Sequence, residues 1–255
     1  MADGIYYETH SLIDGEPIVL ILRGREDALG ERDDAANEKT GAMIQSYIMR
    51  ADIAPMEALR SGADETVCGD CPHRPYLRRA AKERGEAPEA PCYVKVWHGP
   101  RVCWEAYQRG SYRRAASLLD LAAYCEGLPT RFGTYGDPGA LPAYLWAMLA
   151  HAASERTGYT HRWGDTGADL RGLVMASVDS TAERDRVDRD GWAWFRVAKT
   201  LDDGSDRVRG EARCPASAEA GKKVTCRTCP LKCNGEGGGG RVILDHGPGG
   251  IGRKL

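Results

Sequence analysis

The chain has 255 residues, 42% of them hydrophobic and 28% charged, with a formal charge of −2. That length holds one large domain or two small ones and is ample for a buried core, and a charge so near neutral argues against a dedicated duplex-DNA binder. The opening MADGIYYETH has neither the basic nor the apolar region of a secretory signal, and no apolar run approaches the ~20 residues that span a bilayer, so a cytoplasmic setting without membrane contact is expected, where thiols stay reduced.

In chain order, IVLIL (18–22) reads as a buried strand, and the highly charged 23–40 as an exposed loop or short helix. PMEALR (55–60) reads as a short helix, with Pro55 in its first turn and Gly62 as its stop. A proline-punctuated cysteine loop follows, inserted over 66–103. Within it, the basic run RPYLRRAAKER (74–84) reads as a solvated helix face or as a patch for phosphate or a partner. YVKVW (93–97) reads as a strand, 100–109 and 111–126 as helices, and TRFGTY (130–135) as a strand. LPAYLWAMLAHAASERTG (141–158) reads as one long helix, followed by YTHRW (159–163) and GLVMASV (172–178) as strands. Ser180 and Glu183 make a capping box for a helix to about residue 190, and WAWFRVA (192–198) is the next strand. A cysteine-rich segment (212–236), the glycine run GEGGGG and a last apolar run, RVILDH, close the sequence.

Strands alternating with helices predict a single α/β domain over 1–255, built on a mostly parallel sheet. The sheet is expected to be an incomplete (β/α) barrel or doubly wound, with two cysteine-rich metal-binding loops. Ligands in such folds lie at the carboxyl ends of the strands. Tyr135, Asp137, His161 and Asp179 fall at those ends and are the candidate pocket residues: Asp137 and His161 as acid, base or ligand, with His161 alternatively a hydrogen-bonded structural residue, Asp137 a turn residue or helix cap, and Asp179 a lead-in to the helix that follows. No P-loop, dinucleotide-binding glycine pattern or nucleophile elbow is present.

Seven of the nine cysteines fall into two clusters. Cys214, Cys226, Cys229 and Cys233 lie within 20 residues, and four thiolates suffice for a tetrahedral zinc or a cubane iron–sulfur cluster. Prolines directly after Cys214 and Cys229, and a single C-x-x-C pair where a zinc knuckle has two, favour a 4Fe-4S cluster over zinc. Cys68, Cys71 and Cys92 supply three ligands of a second centre. Its fourth ligand is Cys103, His73 or His98, or is absent, which leaves a metal open to a substrate or cofactor. Cys125 reads as a core cysteine.

The segments RFGTYGDPGALPAYLW, TGYTHRW, LVMASVDS, GWAWFRV and CPASAEAGKKVTCRTCPLKC resemble a cysteine-rich family of bacteriophage and prophage genomes, as do CGDCPHR and PCYV. The resemblance covers roughly residues 35–250 and implies a mobile-element setting, hence a host cytoplasm, and no activity. More distantly, the layout is similar in kind to radical S-adenosylmethionine enzymes, which pair an incomplete parallel barrel with an open three-cysteine cluster. The loop here reads C-x2-C-x20-C where that superfamily has C-x3-C-x2-C, so no residue is assigned to S-adenosylmethionine.

Two functions follow as expectations. One is an iron–sulfur protein whose chemistry, if catalytic, is redox or radical-based. The other is a zinc-stabilised module without catalysis that binds single-stranded nucleic acid or a host protein. The latter rests on the basic run at 74–84, on seven basic residues between 207 and 232, and on tryptophans expected to be exposed.

Overall fold

The computed structural model describes residues 3–30, 39–86, 92, 94–164, 169–198, 210–217 and 220–244. Its elements, in chain order, are β1 (Gly4–His10), β2 (Pro17–Arg23), α1 (Arg25–Leu29), β3 (Ile44–Arg50), α2 (Pro55–Ser61), α3 (Glu65–Cys68), α4 (Pro75–Glu83), α5 (Gly99–Gln108), β4 (Arg113–Arg114) and α6 (Leu118–Cys125). There follow β5 (Pro129–Tyr135), α7 (Ala143–Ala152), β6 (Glu155–Thr160), β7 (Met175–Val178), α8 (Thr181–Arg189), β8 (Trp194–Ala198), β9 (Glu211–Arg213) and β10 (Gly240–Leu244).

Among the described residues the strands form one open sheet of ten, in the order β4-β1-β2-β3-β5-β6-β7-β8-β10-β9. β1–β2 and β2–β3 pair antiparallel, and every other pairing is parallel. The expected α/β class and mostly parallel sheet are present. From β3 to β8 the parallel strands step in one direction, as in a barrel, the order reverses at β10-β9, and the sheet does not close.

Alternation of side chains along the strands gives the sheet two different faces. On one, Ile18, Leu20, Ile44, Ile48, Phe132 and Val174 pack against α6, α7 and α8 through Leu121, Leu145, Trp146, Leu149 and Val187. On the other, Val19, Ile21, Tyr47 and Met49 pack against α5 through Cys103 and Ala106, with Met56 and Leu59 of α2 beside them. Further along that second face, at β6, β8 and β10, the covering is supplied by the cysteine-rich tail.

Several boundaries differ from expectation. The helix expected over 141–158 stops at Ala152, where Ala153 turns extended, and Glu155–Thr160 is already strand β6. YTHRW is therefore not a strand of its own: β6 ends at Thr160, and His161 begins the loop. The second helix, expected over 111–126, starts only at Leu118, where Ser117 and Asp120 form a reciprocal cap, after the two-residue β4. YVKVW forms no strand among its described residues. Val96 instead packs beside Cys103, and its carbonyl accepts from Arg101 N at the start of α5. The charged stretch 23–40 gives α1, and its part at 31–38 lies outside the described residues. At the Ser180 cap, Ser180 Oγ accepts from Glu183 N, while the Glu183 carboxylate accepts from Asp179 N rather than from the capping residue.

A candidate metal-binding face and strand-end site

Main-chain bonds fasten two of the tail cysteines to the sheet and a third to the turn before β3. Cys214 N donates to Val242 O, Gly158 N to Cys233 O, and Cys226 N to Lys39 O. Gly235 lies so close to β7 that a Cβ there would sit 2.5 Å from Val174 O, and its φ of +83° belongs to the left-handed region. The result brings Cys214, Cys226, Cys229 and Cys233 to line one cavity, floored by Thr157 and Tyr159 of β6, Phe195 of β8 and Arg241 of β10. Lys39, Arg156 and Lys232 also line it. Burial pushes the thiols of Cys214 and Cys226 above their usual range, and Cys233 up to about 12, while Arg131 and Lys39 pull Cys226 back.

The second cysteine group sits at the carboxyl ends of β5, β6 and β7. Tyr135 is the last residue of β5, Asp137 lies two residues on, and His161 and Asp179 directly follow β6 and β7. The loop carrying Cys68, Cys71 and His73 is drawn over these ends, because Asp137 N donates to Val67 O. Arg74 anchors the same loop. Its guanidinium donates to Gly69 O at 2.9 Å, Gly62 O at 2.7 Å, Asp64 Oδ1 at 3.0 Å and Glu65 Oε2 at 3.2 Å. Cys92 N donates to His73 O, which adds the third thiol to the loop.

Cys68 is pushed well above the usual thiol range, first by burial and then by the nearby Asp64, Cys71 and Cys92. Cys92 is raised for the same first reason. Tyr135 is buried beside them and is likewise raised, by burial and then by Cys68, Asp64 and Cys92. Tyr135 OH and Asp64 Oδ2 are buried, without a hydrogen-bond partner among the described residues. Crowded, desolvated thiols beside two buried polar atoms without partners form a donor set that a cationic or polar group would fit.

Asp137 accepts from Thr160 Oγ1 at 2.6 Å, Gly139 N at 2.8 Å and His161 N at 2.8 Å. Burial raises its carboxyl in spite of those bonds. With its oxygens committed to the strand ends, Asp137 is a positioning residue for His161. Asp179 spans two histidines: His73 Nε2 lies 2.9 Å from Oδ1, and His161 Nε2 lies 3.4 Å from Oδ2. Those histidines hold its carboxyl below the usual range against the opposing effect of burial. The other ring nitrogen of His161, Nδ1, lies 3.7 Å from Cys71 Sγ.

The structure thus gathers the four strand-end candidates with Cys68, Cys71 and Cys92. Of the fourth ligands considered, Cys103 lies on the α5 face, where its sulfur accepts from Arg23 and neighbours Tyr47 and Tyr112. His98 is the exposed residue capping α5, and His73 faces Asp179. The proximity of His161 to Cys71 was not legible in the sequence, since 90 residues separate them.

No family model, curated protein or solved structure matches the chain. No helix among the described residues is long and apolar enough to cross a membrane.

Proposed function

We propose that this is an iron–sulfur protein of phage or prophage type, working by electron transfer in a host cytoplasm. Cys214, Cys226, Cys229 and Cys233 would hold a cubane cluster on one face of the sheet. Cys68, Cys71 and Cys92 would hold a second centre at the strand ends. The observation that carries this reading is that all four tail thiols line one cavity. Their sequence spacing, with a proline directly after Cys214 and Cys229 and a single C-x-x-C pair, favours a cluster over one zinc ion.

When bound, such clusters supply one-electron transfer. This chain's residues do the rest. Lys39 and Arg241 favour the ionised form of the nearest tail thiols against the effect of burial, while Arg156 and Lys232 are paired with Glu236 and Glu155. Tyr159 and Phe195 wall the site from one side. At the strand ends, Tyr135 and Asp64 offer buried polar atoms to whatever the three thiols hold. Redox or radical chemistry fits these donors better than hydrolysis. The three-thiol centre is where a cofactor such as S-adenosylmethionine would meet the protein, though no residue is assigned to it.

A second reading is a zinc-stabilised module for single-stranded nucleic acid or a host protein. It is favoured by α4, of which no residue is buried and whose Arg79 and Lys82 are exposed, but not by the tryptophans, of which Trp146, Trp192 and Trp194 are buried and Trp97 is exposed. Absorption spectra of anaerobically purified protein, wild type beside Cys226→Ser and Cys68→Ser, separate the two. The iron–sulfur reading expects a brown protein with broad absorption near ~400 nm, reduced in part by each substitution. A colourless wild type carrying stoichiometric zinc would replace it with the second reading.

A further inference from the structure

We propose that His73, His161 and Asp179 form a mononuclear site for a divalent first-row metal ion, distinct from both thiol centres. The three side chains come from separate segments: the cysteine loop, the end of β6 and the end of β7. Their ligand atoms lie within 4.8 Å of one another, and among the described residues no other set of three or more potential ligands does so. Two imidazole nitrogens and one carboxylate are the donor set of a two-histidine, one-carboxylate facial site. The distances of 2.9 Å and 3.4 Å from the two Nε2 atoms to the Asp179 carboxylate are close to the ligand-to-ligand spacing about one such ion.

The set is braced from outside. His161 N is tied to Asp137, and Asp179 N to Glu183 at the start of α8. The His73 and His161 rings meet edge to face at 5.3 Å. His161 Nδ1 faces Cys71 Sγ, so the ring nitrogen not offered to the ion has its own partner, the arrangement that orients metal-bound histidines. The side chains keep 15%, 25% and 24% of their surface, so an ion there has a solvent-facing side. Three protein ligands leave positions open, and the ligand class that fits them is a small molecule with an oxygen or nitrogen donor. Cys71 would then border both this ion and the three-thiol centre. The site stands on its own geometry and does not require the iron–sulfur reading.

The test uses the full chain, purified anaerobically, titrated with manganese(II) and followed by the electron paramagnetic resonance of the free ion. Manganese(II) suits histidine and carboxylate donors and is poorly held by thiolates. One ion per chain is expected to bind. Asp179→Asn and His73→Gln, examined separately so that failure of one to fold is not decisive, are each expected to weaken binding at least tenfold. Asp185→Asn, which removes an exposed carboxylate of α8, is expected to leave it unchanged. Absence of bound manganese, or equal affinity in the wild type and both site variants, would overturn the proposal. Iron and sulfide measured on the same samples report on the thiol centres separately, so either idea can fail without the other.

Discussion

Replacing Arg74 by methionine is expected to loosen the loop that carries Cys68, Cys71 and His73. Arg74 and Asp64 form a buried ion pair, with 3% and 1% of their side chains exposed. Removing one partner of a buried pair strands the other charge and costs about 3–5 kcal/mol. Asp64 Oδ2 already lacks a partner, so nothing among the described residues is placed to take over. The carbonyls of Gly62 and Gly69 lose their guanidinium donors at the same time, a loss contained in that range rather than added to it. The contact with Glu65 adds little, because that carboxylate is 65% exposed. For a chain of this size ~1 kcal/mol moves the melting midpoint by roughly 2–4 °C, so Arg74→Met should lower it by about 6–20 °C. Scanning calorimetry on matched metal-loaded samples reads this directly. The double variant Asp64→Leu with Arg74→Met should recover much of the loss, since no buried charge is then left unpaired. A single variant within ~1 kcal/mol of wild type would refute this account of the loop's anchoring.

Other consequences are equally specific. Gly136 has φ +79°, and a Cβ there would lie 2.6 Å from Ile48 O, so Gly136→Ala should cost at least ~2 kcal/mol and displace Asp137; chemical denaturation showing less than ~0.5 kcal/mol would contradict the packing. Glu211, with its side chain fully buried, accepts from Arg196 Nε at 2.8 Å, Arg196 Nη2 at 2.7 Å and Trp194 Nε1 at 3.1 Å, so Glu211→Ala should destabilise by about 3–5 kcal/mol in the same assay. Burial pushes the Cys125 thiol up to about 11. A folded pKa raised above the unfolded value contributes stability that is full below pH ~9 and is lost as pH rises through about 11, and mass spectrometry at pH 8 should find Cys125 alkylated by iodoacetamide only after unfolding.

Much of the sheet was legible because its strands are short apolar runs bounded by turn residues. IVLIL, TRFGTY and WAWFRVA all fall within strands or overlap them. β3 (IQSYIMR) was not read, because two of its buried residues are polar and depend on distant partners. Ser46 Oγ accepts from Gly133 N, and Arg50 reaches Glu16 and Thr66 besides the neighbouring Asp52. β1 (GIYYETH) alternates too weakly, its second face being partly exposed. The junction of α7 and β6 was read as one helix because no glycine or proline separates Ala152 from Glu155. Asp137, His161 and Asp179 were legible as strand-end residues. The pairing of His73 with Asp179, 106 residues apart, and the role of Arg74 were not, because only the folded loop brings them together.

The most direct test of the central claim is iron and zinc X-ray absorption on the anaerobically purified chain, with acid-labile sulfide measured on the same sample. An iron–sulfur protein gives iron bound by sulfur with iron–iron scattering, and sulfide in step with iron. Loss of the larger part of that signal in a variant lacking Cys226 and Cys229 would assign it to the tail cavity. Zinc bound by sulfur alone, with no sulfide and no iron–iron scattering, would contradict the account.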